Sequence, residues 1–203
     1  MKIHEMRIAP NPRRVRIFLA EKGITDIEYV QVDLSKGEHL TPEFRKMNPF
    51  CTVPVLELDD GTFISETIAI CRYFEALHPE PNLFGRDARE QALVEMWQRR
   101  IEFYFMLPTG MAFQHLSDYF KAYKPQVREW GELCRDRAEK MFGMMDAHLA
   151  TTPFVAGDRF TVADITLLCT VDFNKVNNLR LTDAHPNLRR WYDEVSARPS
   201  AQA

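Results

Sequence analysis

Three short stretches bring polar side chains to places where the backbone itself has groups to offer. In "RIAPNPRRVRIF", residues 7–18, a proline-bearing loop feeds a helix, and Asn11 supplies an amide that both donates and accepts near the helix start. In "FCTVPVLELDDG", residues 50–61, Val53 precedes Pro54 and is biased to extended geometry, so its N–H and C=O can pair with a peptide-like ligand as an added strand. In "SETIAICRYF", residues 65–74, Ser65, Glu66 and Thr67 bring a hydroxyl, a carboxylate and a second hydroxyl to a helix start, where N–H groups are unpaired. An α-carboxylate suits those N–H groups and an ammonium suits Glu66. Read alone, Ser65 is equally an ordinary N-cap and Glu66 an ordinary first-turn charge.

The elements that position these residues follow from periodicity. "KIHEM" and "IEYVQVDL" alternate as strands. Between them Val15, Phe18 and Leu19 fall at helical spacing, in a helix opening around Pro12 with Gly23 as C-cap. A short helix is expected at "TPEFRKM", then two apolar runs around Asp60-Gly61 that read as a tight hairpin. Ile68, Cys71, Phe74 and Leu77 share one face of the next helix. The order is therefore β-α-β-α-β-β-α. A Pro/Gly-rich segment ends it, which predicts a domain over 1–78, a linker over 79–85 and a second domain over 86–203.

Past the linker the strand signals largely disappear. Helical periodicity runs about 87–120, 126–149, 161–176 and 187–197, so the fold class is an α/β domain followed by an all-helical one. Thr161 and Asp164 have the spacing of a capping box, to which a structural role is assigned. Trp97, Phe103, Tyr104, Met106, Met111 and Phe113 are too many bulky residues for one buried stripe, so some of them are expected to line an apolar pocket.

Composition excludes several classes. A net charge of −3 with both signs interspersed gives no footprint for nucleic acid or anionic membrane. No run approaches the roughly 20 apolar residues that span a bilayer, and the N-terminus lacks an apolar signal region, so the cytoplasm is the expected location. Cys51, Cys71, Cys134 and Cys169 form no C-x-x-C or Cys/His cluster, so neither a metal site nor a disulfide is expected.

"MNPFCTVPVLELDDG", "ISETIAICRYF" and "FVAGDRFTVADI" together resemble, in order, segments of the cytosolic glutathione transferases: N-P-x-G-x-V-P-x-L, E-S-x-A-I and a C-terminal cap. The resemblance implies a thioredoxin-like domain in which Pro54 is cis and glutathione lies along Val53, with its γ-glutamyl end at Glu66 and Thr67. It implies also that His39 and Thr52 meet the glycyl end, and that the protein is a homodimer.

Many members carry a tyrosine, serine or cysteine near the sulfur. Here Ala9 stands where the hydroxyl belongs, and Asn11 matches the asparagine of bacterial relatives with an S/T-P-N loop. A free thiol titrates near 8.5, and a hydrogen bond to a charged group contributes about 1.5–3 kcal/mol, or about one to two pKa units. Asn11 with the helix start, near Arg13 and Arg14, is thus expected to bring the thiol pKa down to neutral pH and stabilise the thiolate; a mere cap is the competing role. The expected reaction is addition of the glutathione thiolate to a hydrophobic electrophile, a detoxifying conjugation, with Tyr104 and Met111 at the co-substrate pocket and Tyr104 as the phenol placed to donate. Alternatives are glutathione-dependent peroxide or disulfide reduction and a non-catalytic glutathione-binding or interaction protein. Cys51 replaces the glycine of the N-P-x-G pattern, where it is either a packed residue or a partner in thiol-disulfide exchange.

Overall fold

Residue alternation in the N-terminal stretch produces four strands: β1 (Lys2–Glu5), β2 (Glu28–Gln31), β3 (Val55–Glu57) and β4 (Phe63–Ser65), in spatial order β2-β1-β3-β4. β1 runs parallel to β2, with Ile3 opposite Tyr29, and antiparallel to β3, with Ile3 opposite Leu56. β3 and β4 are antiparallel, with Leu56 opposite Ile64. The sheet's helices are α1 (Pro10–Glu21), α2 (Pro42–Met47) and α3 (Thr67–Leu77). This is the expected thioredoxin-like βαβαββα order. The computed structural model describes residues 1–122 and 124–203.

Local chemistry explains the element ends. Ala9 is the N-cap of α1 and Pro10 its first residue, so the helix opens two residues before Pro12. Gly23 takes the left-handed position after the helix at φ 67, and the next amide, of Ile24, donates to Leu19 O at 2.9 Å. The Asp60-Gly61 turn is longer than a tight hairpin: Leu58 N–H donates to Thr62 O at 2.9 Å and Gly61 N–H to Leu58 O at 3.0 Å. Thr41 caps α2 by accepting from Phe44 N–H at 3.2 Å. Phe44 packs with Val32, Val53 and Val55, and Val15, Phe18, Ile70 and Phe74 are fully buried.

Two units divide at Asn82/Leu83, and the last residues, Pro199–Ala203, go with the first unit rather than with the helices they follow. The reason is specific bonding: Arg13 Nη2 donates to Ala201 O at 3.1 Å, and the Ser200 hydroxyl bonds Glu21. Lys22, whose side chain has no exposure, pairs with Glu75 and donates to the carbonyls of His78 at 2.8 Å and Pro81 at 2.6 Å. A buried ammonium with its donors occupied fixes the chain that leaves α3.

The second unit, Leu83–Arg198, contains α4 (Ala88–Ile101), α5 (Leu107–Leu116), α6 (Arg128–Leu149), α7 (Val162–Phe173) and α8 (Pro186–Ser196). The helix expected over 87–120 is interrupted by a π turn at Glu102–Met106. Pro108 accounts for it, since proline lacks the N–H and its ring crowds the carbonyl of the previous turn, so the helix widens ahead of it. No helix among the described residues is long and apolar enough to cross a membrane.

Asp164 lies at the centre of this unit, with no exposure. Its carboxylate accepts from Thr161 N–H and Val155 N–H, both at 2.9 Å, from Trp191 Nε1 at 2.9 Å and from the Thr161 hydroxyl at 3.1 Å. The capping box thus also ties the loop before α7 and the buried indole of α8 to one residue. Burial pushes this carboxyl up to about 6 in spite of its donors. The folded chain therefore holds a proton there more tightly than the unfolded chain, whose carboxyl titrates near 4, and the linked stability is full below about pH 4 and lost as the pH rises through 6. Asp164→Ala is expected to lower the unfolding free energy by about 3–5 kcal/mol in urea titrations, because several buried donors lose their acceptor. Asp164→Asn is expected to remove the part of the stability–pH slope between about pH 4 and 6.

Candidate active site

Strand register brings four segments to one end of the sheet. His4 and Ser65 both face Val55, and Glu5 faces Gln31. The loop Met6–Ala9 leaves β1 there and the segment with His39 leaves β2 there. Val53-Pro54 enters β3 and Glu66-Thr67 leaves β4 at that same end.

The Val53–Pro54 peptide is cis. Val53 is 8% exposed, yet neither its N–H nor its C=O has a hydrogen bond among the described residues. That is the arrangement to which an extended ligand backbone adds as a strand. The loop before it is held by Asn48, a residue the sequence reasoning passed over. Asn48 is 1% exposed; its amide donates to both the carbonyl and the hydroxyl of Thr52 at 2.9 Å, and its Oδ1 accepts from Phe50 N–H at 3.1 Å. Its signal was present as the first residue of the N-P-x-G-x-V-P pattern.

Cys51 occupies the pattern's glycine position at φ 56, the left-handed region that glycine enters without cost, and is half-buried rather than packed in the core. Its Sγ lies 3.7 Å from Pro49 O.

At α3 the structure excludes Ser65 as the cap. Ser65 belongs to β4 and is not the N-cap; Glu66 is, at φ 70, with no side-chain cap hydrogen bond. The first-turn N–H groups, beginning at Thr67, therefore lie outside the helical ladder, which starts with Ile70 N–H to Glu66 O at 3.0 Å. Glu66 is exposed and Thr67 is 6% exposed. A non-glycine residue is thus held at positive φ beside open first-turn donors, a combination that stores local strain and leaves N–H groups able to take an anion.

The opening loop ends in an uncapped helix as well. Ala9 offers no side-chain bond, and its N–H donates to Met6 O at 2.9 Å. Pro10 and Pro12 have no N–H, so Asn11 N–H is the first-turn backbone donor left over. Asn11 sits inside the helix and does not cap it. Its Oδ1 accepts from Arg14 Nη1 at 2.9 Å, which turns the amide's NH₂ away from Arg14, and the side chain is exposed. Arg14 is 3% exposed and Arg13 is bonded to Ala201 O, so neither presents a free guanidinium.

Thr52 is exposed with its hydroxyl accepting from Asn48, and His39 is half-buried in the 3₁₀ turn Glu38–Leu40, entered from Gly37 at φ 74. Tyr104 and Met111 lie in the helical unit. Tyr104, 65% exposed, forms part of the wall of a cavity of about 670 Å³ with Trp97, Phe103 and Met144, rimmed by Arg100, Arg137 and Lys140. Met111, half-buried on α5, is not among that cavity's lining residues.

This combination of a thioredoxin-like unit and a helical unit is shared with known enzymes. Residues 8–77 match the family described as "Glutathione S-transferase, N-terminal domain", and residues 128–194 match "Glutathione S-transferase, C-terminal domain". Glutathione S-transferase 2 of Saccharomyces cerevisiae is 39% identical over 207 residues, covering 100% of this chain and 88% of that protein. Among solved structures, Gtt2 from Saccharomyces cerevisiae superposes with a TM-score of 0.94 at 38% identity, over 100% of this chain and 99% of that one. A glutathione S-transferase domain-containing protein from Marinobacter aquaeolei gives 0.93 at 40% identity, over 98% and 99%. The chain belongs to the glutathione S-transferase family of enzymes.

Cys51→Gly is expected to keep or raise stability, by up to about 1 kcal/mol in chemical denaturation, because it relieves a side chain held at positive φ.

Proposed function

We propose that this chain binds glutathione at the end of the sheet and transfers its thiolate to hydrophobic electrophiles. The observation that carries the reading is Val53, a largely buried residue whose two backbone groups have no partner among the described residues. The cysteinyl residue of glutathione pairs with them as a short added strand. The γ-glutamyl carboxylate meets the Thr67 N–H at the uncapped start of α3, and its ammonium meets Glu66. Thr52 and His39 serve the glycyl end.

The sulfur is placed at the start of α1, where Asn11 contributes its N–H, its side-chain NH₂ and the positive end of the helix. The protein lowers the thiol pKa and holds the nucleophile oriented; the new S–C bond forms at the electrophile as its leaving group or π-electron pair departs. For the electrophile, the apolar wall that includes Tyr104 and the neighbouring turns of α5 with Met111 form the second part of the reading. The enzyme works as a homodimer, a reading supported by the 79% exposure of Phe50 and the exposed Phe103. Four free cysteines fit a reducing cytoplasm.

A second reading, glutathione-dependent disulfide or peroxide reduction, is favoured by the half-exposed Cys51 two residues from Val53. It predicts that Cys51→Ser abolishes glutathione-dependent reduction of a small disulfide while conjugation persists. Retained reduction would assign Cys51 to the loop's structure alone.

Two variants test the main reading by steady-state kinetics. Glu66→Ala is expected to raise KM for glutathione roughly ten- to a hundredfold with a smaller change in kcat, the loss of one charge-assisted hydrogen bond of about 1.5–3 kcal/mol. Asn11→Ala is expected to lower kcat/KM at neutral pH about tenfold, as one pKa unit of thiol activation is lost. Unchanged turnover would clear Asn11 of a role. Binding of glutathione with its thiol still at the free value would make the protein a binder and not a transferase.

A further inference from the structure

The loop that delivers α1 is pinned by side chains outside the glutathione contacts. Arg7 N–H donates to Gln31 Oε1 at 3.1 Å, and Arg7 O accepts from Arg16 Nη2 at 2.6 Å. Both of those side chains turn their other polar end to one carboxylate. Gln31 Nε2 donates to Glu5 Oε1 at 3.0 Å, and Arg16 Nη1 bonds Glu5 Oε2. Glu5 is 1% exposed and Arg16 6% exposed. The backbone of Arg7 is thus fixed at both its N–H and its C=O through partners that converge on a single buried charge.

We propose that Glu5 is the positioning residue of the sulfur loop: through Arg16 and Gln31 it fixes Arg7, and with it the Met6–Ala9 turn from which α1 and Asn11 start. Three features carry this. A buried carboxylate at the end of a central strand is retained only with paired hydrogen bonds, and here each oxygen has one. Arg16 bridges as only a planar guanidinium does, giving one N–H to the carboxylate and another to the carbonyl. The turn then closes on itself through Ala9 N–H to Met6 O at 2.9 Å, and α1 begins at the next residue. In a loop with no hydroxyl or thiol, the placement of Asn11 is what activation depends on, and a shift of a fraction of an ångström weakens a hydrogen bond to sulfur. None of the three residues need touch glutathione.

The inference rests on the reading that Asn11 and the start of α1 stabilise the thiolate. The test is a near-UV pH titration of the thiolate of bound glutathione in the wild type and in Gln31→Leu, Arg16→Lys and Glu5→Gln. Gln31 is exposed, so its variant folds even where the buried ones do not. In the folded variants the bound thiol is expected to titrate about one unit higher than in the wild type, with kcat/KM at neutral pH down about tenfold and KM for glutathione within about twofold. Addition of Asn11→Ala to Gln31→Leu is expected to cause little further change, since both act through one group. Thiol titration equal to wild type in folded Gln31→Leu, with wild type itself lowered from the free value, overturns this inference alone. A wild-type thiol left at the free value overturns it together with the activation reading.

Discussion

Folded proteins pair their buried backbone polar groups, and among the described residues the segment before β3 leaves two of them over. Val53 is buried by Phe44, Val32 and Val55, so its N–H and C=O cannot be satisfied by moving toward solvent without opening that cluster. Asn48 holds the preceding loop so that it cannot fold back to pair with them. The same condition recurs at the starts of α1 and α3, neither of which has a side-chain cap. Open donors of this kind at one end of a sheet suit an extended anionic peptide, and the glutathione S-transferase family is built around such a ligand.

The helical unit depends on the opposite condition. Every donor around Asp164 is satisfied, and that one residue joins the loop before α7 to the buried Trp191. α7 is buried on nearly all sides, so its integrity rests on internal hydrogen bonds and packing. The paired cluster around Asp164 and the open backbone groups at the sheet end are thus opposite uses of buried polar groups in the two units.

Much of this was legible in the residues. The βαβαββα order follows from periodicity and turn signals, and the cap at Thr161–Asp164 from spacing. Val53, Glu66 and Thr67 stood out because Pro54 and the helix start impose local geometry that composition reveals. What sequence reasoning missed depends on contacts between distant residues. Nothing local marks Glu5, Arg16 and Gln31 as one network, since parallel pairing of β1 with β2 and the facing of α1 bring them together. Asn48 acts through a loop conformation that its type alone does not dictate. The π turn at Glu102–Met106 needed Pro108 to be read as a distortion within a continuing helix rather than passed over. Ser65 shows the reverse case: its type suggests a cap, but the pairing with Val55 keeps it in β4.

In the proposed reading, a start of α1 built from Ala9, Asn11 and two prolines takes the place of the hydroxyl that many family members carry beside the sulfur. Pro10 and Pro12 leave the helix start with Asn11 as its first-turn backbone donor, so the proposed activation falls on one residue and depends on holding the loop still. The structure of the complex with glutathione tests this account most directly. It predicts the cysteinyl backbone paired with Val53, the γ-glutamyl carboxylate at Thr67 N–H and the sulfur within hydrogen-bond reach of Asn11. Glutathione bound with its sulfur turned away from the start of α1, or away from Val53 altogether, would contradict it.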